Sequence, residues 1–503
     1  VNRTVPIAVA GIALIALLAG CTGGPAPDAS DDPTAEATPE ALVLDLTTQV
    51  EPTWTVAADL LGDPASIDGY VGSYVEAADR SMNAVVWDAA TGQEMWRDIA
   101  DPGMGTRGVP FWLDLFEFDG ASYATYLRQE MGTQKTELII ADLATGTPVH
   151  TIADVFALGR PFACADDTKV CGVGSLADTY SSDQGDFRVD VATGEAAMFN
   201  DETVAAGARP LGANIYGTLG RPANGNVEMI GYNSDGTSRW EVPYSDIFGE
   251  GYSSDAGYTW TGEGATGLIV GSGFYLEPAR GTDSPYTLDE TAQKLVGVDA
   301  NDGSVVWSLP GVATCSLGRI DVEESPGVQP FCRINAGTTE VGPLVEGVER
   351  TVTTTGLDMT LVGVNMATGD IEWEVPLGGD LANSVSSYAV GFATGTNPLK
   401  LAVVDGVVVP INAVTGVVGD PVTEGTVACS QQRKFYVTYY PHTTGGEREF
   451  VAGSDTFPCD LAKTPLAQTS YSPDAIRIAG TALGDDRYLI GGAAGLSMFT
   501  VAK

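Results

Sequence analysis

One twelve-residue pattern recurs along this chain of 503 residues and limits its fold more than any other feature. The first copy runs from Val85 to Trp96 and reads VVWDAATGQEMW. An apolar run ends in Asp88, Gly92 sits four residues later, and Trp96 comes four residues after the glycine. The same arrangement returns with Asp142 and Gly146; Asp190 and Gly194; Gly236 and Trp240; Asp299, Gly303 and Trp307; Asn365, Gly369 and Trp373; and Asn412 and Gly416, which makes seven copies. Each copy has the same physics. An Asp or Asn side chain bonds backbone groups ahead of it and starts a turn. Glycine takes the positive φ that closes the turn. The chain then returns as a strand that carries Trp at a fixed register. One hairpin cannot bury a tryptophan alone, so the units must stack. The chain has 62 Gly against 25 Lys+Arg, and helical periodicity is missing after residue 40, so an all-β fold is expected.

The pattern resembles the repeat of PQQ-like β-propellers: a strand, Asp-x-x-Thr-Gly, then x-x-x-Trp. Asp88, Thr91, Gly92 and Trp96 match in full, and Asn365, Thr368, Gly369 and Trp373 match with Asn for Asp. The copies headed by Asp142, Asp190 and Asn412 keep Thr-Gly and lose Trp. The resemblance covers residues 42–503 and is specific as an ensemble rather than copy by copy. It implies a propeller whose tryptophans dock between blades. Spacings between motif glycines run from 42 residues (Gly194 to Gly236) to 67 (Gly236 to Gly303). The shorter ones suit a four-stranded blade, and the longer ones imply inserted loops. Trp54, in EPTWTVAADL, reads as an outer strand without its own motif, and the C-terminal RYLIGGAAGLSMFTVAK reads as an inner hairpin without an outer strand. Joining the two would close a ring and leave only short, protected edges. Eight four-stranded blades are expected, with seven as the alternative. The stretch from Gly416 to Arg487 carries no motif and fixes no count.

The other end of the chain reads as an address. In residues 1–20, Arg3 precedes an apolar run from Ile7 to Leu18, the pattern of a signal peptide. Leu18-Ala19-Gly20-Cys21 resembles the lipobox of bacterial lipoproteins, which implies cleavage before Cys21 and acyl chains, palmitate among them, on that residue. Residues 21–41 are rich in Pro, Ala, Asp and Thr and lack aromatics, as suits a disordered tether. Two or three acyl chains hold a protein stably at a membrane. The expected location is the cell membrane, facing outside the cytoplasm. Export permits disulfides. The six remaining cysteines fall as near neighbours: Cys164 with Cys171, Cys315 with Cys332, and Cys429 with Cys459. Local pairing is the simplest of fifteen connectivities. Metal binding is the rival, but no CxxC occurs, and His150 and His442 are remote from any clustered ligands in the sequence.

Net charge and motif content narrow the chemistry. A formal net charge of −41 with no basic run excludes nucleic acid as a partner and disfavours electrostatic settling on anionic lipid. The resembled family includes quinoprotein alcohol and sugar dehydrogenases, which use PQQ, a nearby Ca²⁺, an aspartate base and often a disulfide between adjacent cysteines. No Cys-Cys dipeptide occurs here, and no segment matches a quinone or Ca²⁺ site. No cofactor or metal is therefore expected, and PQQ and Ca²⁺ belong only to the alternative. Nucleophile-elbow and P-loop patterns are missing. Asp299-Ala-Asn-Asp-Gly303 departs from an EF-hand loop and reads as a blade turn. His150 occupies a Trp slot, which points to packing. The 66 acids neither exclude nor single out a glycosidase pair.

Two interruptions of the repeat remain as surfaces for function. Tyr244 to Tyr286 sets Tyr252, Tyr258 and Trp260 among carboxylates, a composition that suits sugars, peptides or cations. RKFYVTYYPHTTGGEREFV, between Cys429 and Cys459, alternates like a hairpin and gathers Arg433, Lys434, Arg448 and His442. The competing view of each is a loop that packs its own core. Fold alone does not license function. The expected role is a non-enzymatic binding or scaffold module for a protein, a peptide or a cell-envelope ligand such as a polysaccharide. A lipoprotein propeller of the outer-membrane protein assembly machinery is a comparable scaffold in architecture. A PQQ/Ca²⁺-dependent dehydrogenase and a carbohydrate-binding module are the alternatives.

Overall fold

In the computed structural model the six described copies of the motif fold into a turn of one geometry. That structure describes residues 42–502 apart from 80, 104–111, 130–135, 158, 165–167, 177–184, 200–207, 213–214, 219–227, 233–237, 254–259, 262–266, 276–283, 315–326, 344–350, 379–390, 394–396, 405, 440–445, 485 and 493–494. Gly92, Gly146, Gly194, Gly303, Gly369 and Gly416 take φ between 68° and 75°. Each donates its N–H to the carbonyl of its own motif Asp or Asn at 2.7–2.9 Å. The acid caps the turn from inside: Asp88 Oδ1 accepts from Thr91 N at 2.8 Å and from Thr91 Oγ1 at 2.7 Å. Asp142, with Thr145, and Asp190, with Thr193, repeat this cap. The Gly236 turn lies outside the described residues.

These turns join the last two strands of successive antiparallel sheets, which makes the fold an all-β propeller. The first motif sheet runs Ala65–Ile67, Tyr70–Glu76, Met82–Asp88, Glu94–Ala100. The next runs Asp114–Phe118, Ala121–Gln129, Thr136–Asp142, Pro148–Ala157, and is followed by Phe162–Ala163, Lys169–Ser175, Gly185–Asp190, Ala196–Phe199. These two are fused, because Phe156 and Ala157 pair with Ser175 and Gly174. Backbone contact makes the fusion: a Cβ on Gly174 would lie 1.9 Å from the Phe156 carbonyl oxygen. Ala208–Gly212, Ile215–Thr218, Glu228–Tyr232 and Ser238–Pro243 form a further four-stranded sheet. Two five-stranded sheets come next, built around Leu268–Tyr275 with Lys294–Asp299, and around Val328–Val341 with Val352–Asn365.

The last motif sheet departs from four strands. Among the described residues, only Leu399–Val404 and Val407–Asn412 form strands there, and beyond them Val418 bridges Ile411. The slot four residues after Gly416 holds exposed Asp420 instead of an aromatic. The motif-free stretch supplies the ribbon Val427–Tyr439 with Gly446–Cys459, which Gly391–Phe392 extends to a three-stranded sheet, and the helix Pro473–Ala479. Ser472 caps that helix by accepting from Ala475 N at 3.3 Å. The chain ends share one sheet: Trp54–Val56 pairs with Gly495–Thr500, then Arg487–Gly492 and Thr481–Ala482. No described helix is long and apolar enough to cross a membrane.

Tryptophan joins one sheet to the next by a repeated contact. Trp54 donates its indole N–H to Ala89 O at 3.2 Å, Trp96 to Leu143 O at 2.7 Å, and Trp240 to Ala300 O at 2.9 Å. Trp307 donates to Met366 O at 3.2 Å, and Trp373 to Val414 O at 2.8 Å. Each ring lies flat on the motif glycine of that next sheet. A Cβ on Gly92, Gly146, Gly303, Gly369 or Gly416 would meet the indole at 2.4–2.7 Å. Glycine therefore serves both the φ of the turn and the seat of the ring. His150 copies the contact, with Nε2 at 2.8 Å from Val191 O and its ring on Gly194.

A β-bulge aims every docked ring except that of Trp54, whose strand pairs in unbroken register. Opposite Val86, Ile140, Gly231, Gly297 and Gly363, the outer strand carries one extra residue just before Trp or His. Three of those opposing positions are Gly231, Gly297 and Gly363, where a Cβ would fall 2.0–2.3 Å from the same indole. Trp240, Trp307 and Trp373 are thus held between two glycines, one from each sheet. The pair Gly185–Asp190 with Ala196–Phe199, whose slot holds Met198, keeps an unbroken register.

The local cysteine pairing is present in two of three cases. Cys164 bonds Cys171 across a hairpin, and Cys429 bonds Cys459 at the base of the long ribbon. Cys332 is disulfide-bonded, and Cys315 lies outside the described residues.

Two outcomes are expected. Trp96→Ala should cost about 3–5 kcal/mol. Gly146→Ala should cost about 1–3 kcal/mol from its φ and from the ring it strikes. In denaturant melts of both single variants and the double variant, the cost of Gly146→Ala should shrink once Trp96 is Ala, and strict additivity would contradict the docking. The second outcome concerns acid. The Thr91 hydroxyl holds the Asp88 carboxyl below its ordinary range, and the Thr193 N–H does the same for Asp190. A folded pKa below the unfolded one gives stability that is present above the unfolded value and lost as pH falls through the folded one. The thermal midpoint should therefore drop as pH is lowered below about 4, and Asp88→Asn should flatten part of that drop. An unchanged slope in Asp88→Asn would remove Asp88 from the effect.

Candidate functional site

The aromatic interruption folds inward. Pro243 leads into a short helix, Tyr244–Phe248, whose Tyr244, Ile247 and Phe248 are buried against Met229, Trp240, Ile269 and Val296. Tyr244, Phe248 and Tyr252 stack in succession, with centroids 6.0 and 5.7 Å apart. Tyr275 meets Tyr252 edge-on at 5.6 Å. Tyr252 is half-buried and donates its hydroxyl to Ala292 O at 2.8 Å. Lys294 sends its ammonium to Phe248 O, 4.8 Å above the Tyr252 ring, and burial lowers its pKa. Tyr252, a candidate ligand contact from sequence, is thus engaged at its ring and at its tip by the protein itself. Trp260 sits on the strand Trp260–Thr261 opposite Gly271, and Tyr258 lies outside the described residues.

The second interruption is a long two-stranded ribbon. Val427–Tyr439 pairs with Gly446–Cys459 from Val427↔Cys459 to Tyr439↔Gly446, and the Cys429–Cys459 disulfide ties its base. Arg433 stands opposite Ala452, Lys434 opposite Val451, and Val437 opposite Arg448. His442 lies outside the described residues, and so does Cys21. The aromatic and basic candidates belong to different sheets.

Two groups escaped the sequence reading. Arg160 stacks 3.4 Å over Trp112 and pairs with Asp114 at 3.2 Å, while the second Asp114 oxygen accepts from Ala163 N at 2.7 Å. This cluster ties two successive sheets, and only contact between distant segments assembles it. Lys400 is fully buried on Leu399–Val404, and burial pushes its pKa down to about 8. Its place in an apolar strand, LKLAVV, was the available signal. Among the described residues, no three His, Cys, Asp or Glu side chains gather as a metal site.

No family model matches the chain, and no curated protein matches it. Solved structures do match. A europium-containing methanol dehydrogenase is 11% identical, with 76% of this chain and 85% of that one covered, at a TM-score of 0.40. Quinohemoprotein alcohol dehydrogenase from Comamonas testosteroni is 14% identical, with 77% and 72% covered, at 0.41. BamB from Moraxella catarrhalis is 12% identical, with 90% and 98% covered, at 0.33. At such identity and superposition these neighbours decide nothing about activity, and the β-propeller fold rests on the chain's own sheets and docking contacts.

Proposed function

We propose that this chain is a lipid-anchored, extracytoplasmic propeller that works by binding, as a scaffold for a protein, peptide or cell-envelope ligand. The observation that carries this reading is the disulfide-based ribbon Val427–Cys459. It holds Arg433, Lys434 and Arg448, three of only 25 Lys+Arg in a chain of net charge −41. A ribbon stiffened at its base loses less entropy when a partner orders it. Two further features support the reading. The described motif acids cap their own turns and the docked indoles lie on glycine, so the repeat's conspicuous residues are engaged in structure. Leu18-Ala19-Gly20-Cys21 supports the anchor.

The test is photo-crosslinking in intact cells from a reactive residue placed at Arg433. A single dominant adduct is expected, lost when Lys434→Glu reverses the charge or when Cys429→Ser with Cys459→Ser frees the ribbon. Labelled palmitate should enter the wild-type chain and not Cys21→Ala. Turnover of alcohols or sugars with PQQ, Ca²⁺ and a redox dye would overturn the reading in favour of a dehydrogenase. Selective glycan-array binding without a protein adduct would move the ligand to polysaccharide.

A further inference from the structure

Beyond the last motif turn the docking contact has no counterpart, and another device takes over there. Beyond the Asn412–Gly416 turn the aromatic slot holds Asp420, so no ring reaches forward. The sheet shared by the chain ends has no turn to receive one, because its last two strands, Gly495–Thr500 and Trp54–Val56, come from opposite ends of the chain. Residues 42–50 fill this junction. Leu46 is only 2% exposed and packs with Leu401, Val408, Val427, Cys429, Cys459 and Ile478. Val50 packs against the cluster of Tyr471, Ile476, Ile490 and Phe499 in and beside the terminal sheet. One extended segment therefore spans both cores.

Backbone bonds seat it along its length. Thr426 N donates to Leu46 O at 2.8 Å, Val50 N to Tyr471 O at 2.8 Å, and Asp45 N to Asp474 Oδ2 at 2.6 Å. Gln49 bonds Thr426 Oγ1 and accepts from both Gln468 and Ser470. Arg477 pairs with the same Asp474 and donates to Ala502 O, which ties the segment to the C-terminus. Gly419 and Gly425 leave room for it: a Cβ on either would lie 2.5 Å from the carbonyl oxygen of Leu42 or of Leu46. Glycine is required at both positions by the segment's own backbone.

We propose that residues 42–50 are a strap that locks this junction, and that the propeller opens here, as one local unit with the 418–426 loop and the helix Pro473–Ala479, before any tryptophan-docked junction parts. Extended segments held by a few backbone bonds and one buried leucine open at lower free energy than sheets joined by stacked indoles. If the chain is anchored as proposed, the tether joins it one residue before the strap, so a pull on the anchor reaches this junction first. The opening itself needs no anchor, and its test is independent of one.

Native-state hydrogen exchange on the full chain decides the matter. The amides of Val50, Thr426 and Tyr471 should exchange together, at least about tenfold faster than those of Ala89, Leu143, Ala300 and Met366, the buried residues at docked junctions. Leu46→Ala should speed the first set by about tenfold or more and leave the second unchanged. Gly419→Ala with Gly425→Ala, which places Cβ atoms against the strap, should do the same. Strap amides no faster than the docked set in the wild type, or equal acceleration of both sets in the variants, would overturn the proposal. The wild-type comparison stands even if a variant fails to fold.

Discussion

An indole lying flat on a glycine of the next sheet is the contact on which this architecture depends. It needs three things at once: a ring at fixed register, a neighbour without a Cβ, and a carbonyl placed to receive the indole N–H. The turn supplies the last two together. A glycine at positive φ is bare on the side that faces the incoming ring, and the residue just after the motif acid, or the next one at Val414, turns its carbonyl toward that ring. A buried hydrogen bond of this kind contributes about 1 kcal/mol, while the buried area of the ring contributes more. Repetition along the chain turns these modest contacts into a fold. The His150 substitution shows that geometry matters more than the indole itself, since an imidazole at the same slot makes the same bond to the next carbonyl.

Local chemistry made the turns legible, and contacts between distant segments hid the rest. Asp88, Thr91 and Gly92 act on one another within five residues, so their roles could be read directly. A finer signal was present and went unread. Gly297 and Gly363 each stand two residues before a motif Asp or Asn, Gly231 stands five residues before Gly236, and all three form the second seat of an indole. The bulge that aims the ring left no residue signature, because its extra residue varies from Met95 to Val149 to Val306. Fusion of two sheets through Gly174 and the irregular end of the Asn412 sheet depend on segments far apart in sequence, which no local pattern encodes.

The candidate surfaces separate by the same criterion. Tyr252 looked available in sequence because aromatics beside acids suit many ligands. In the fold its ring, face and hydroxyl are taken by Phe248, Tyr275, Lys294 and Ala292. The ribbon was legible as a hairpin from its alternation, and its cysteines marked its base. The sequence put Leu42 to Val50 within the propeller region, but not its place near that base, where Leu46 shares a cluster with Cys429 and Cys459. The conspicuous repeat thus serves packing, and the interruptions carry whatever distinguishes this propeller.

The docking account is tested most directly by the proton shifts of selectively labelled glycines. A proton over the face of an indole is shielded by the ring current. The Hα signals of Gly92, Gly146, Gly303, Gly369 and Gly416 should therefore lie upfield of the ordinary glycine range, and replacing Trp96 with Ala should return Gly146 alone to that range. Ordinary shifts at these five glycines in the folded protein would contradict the central claim.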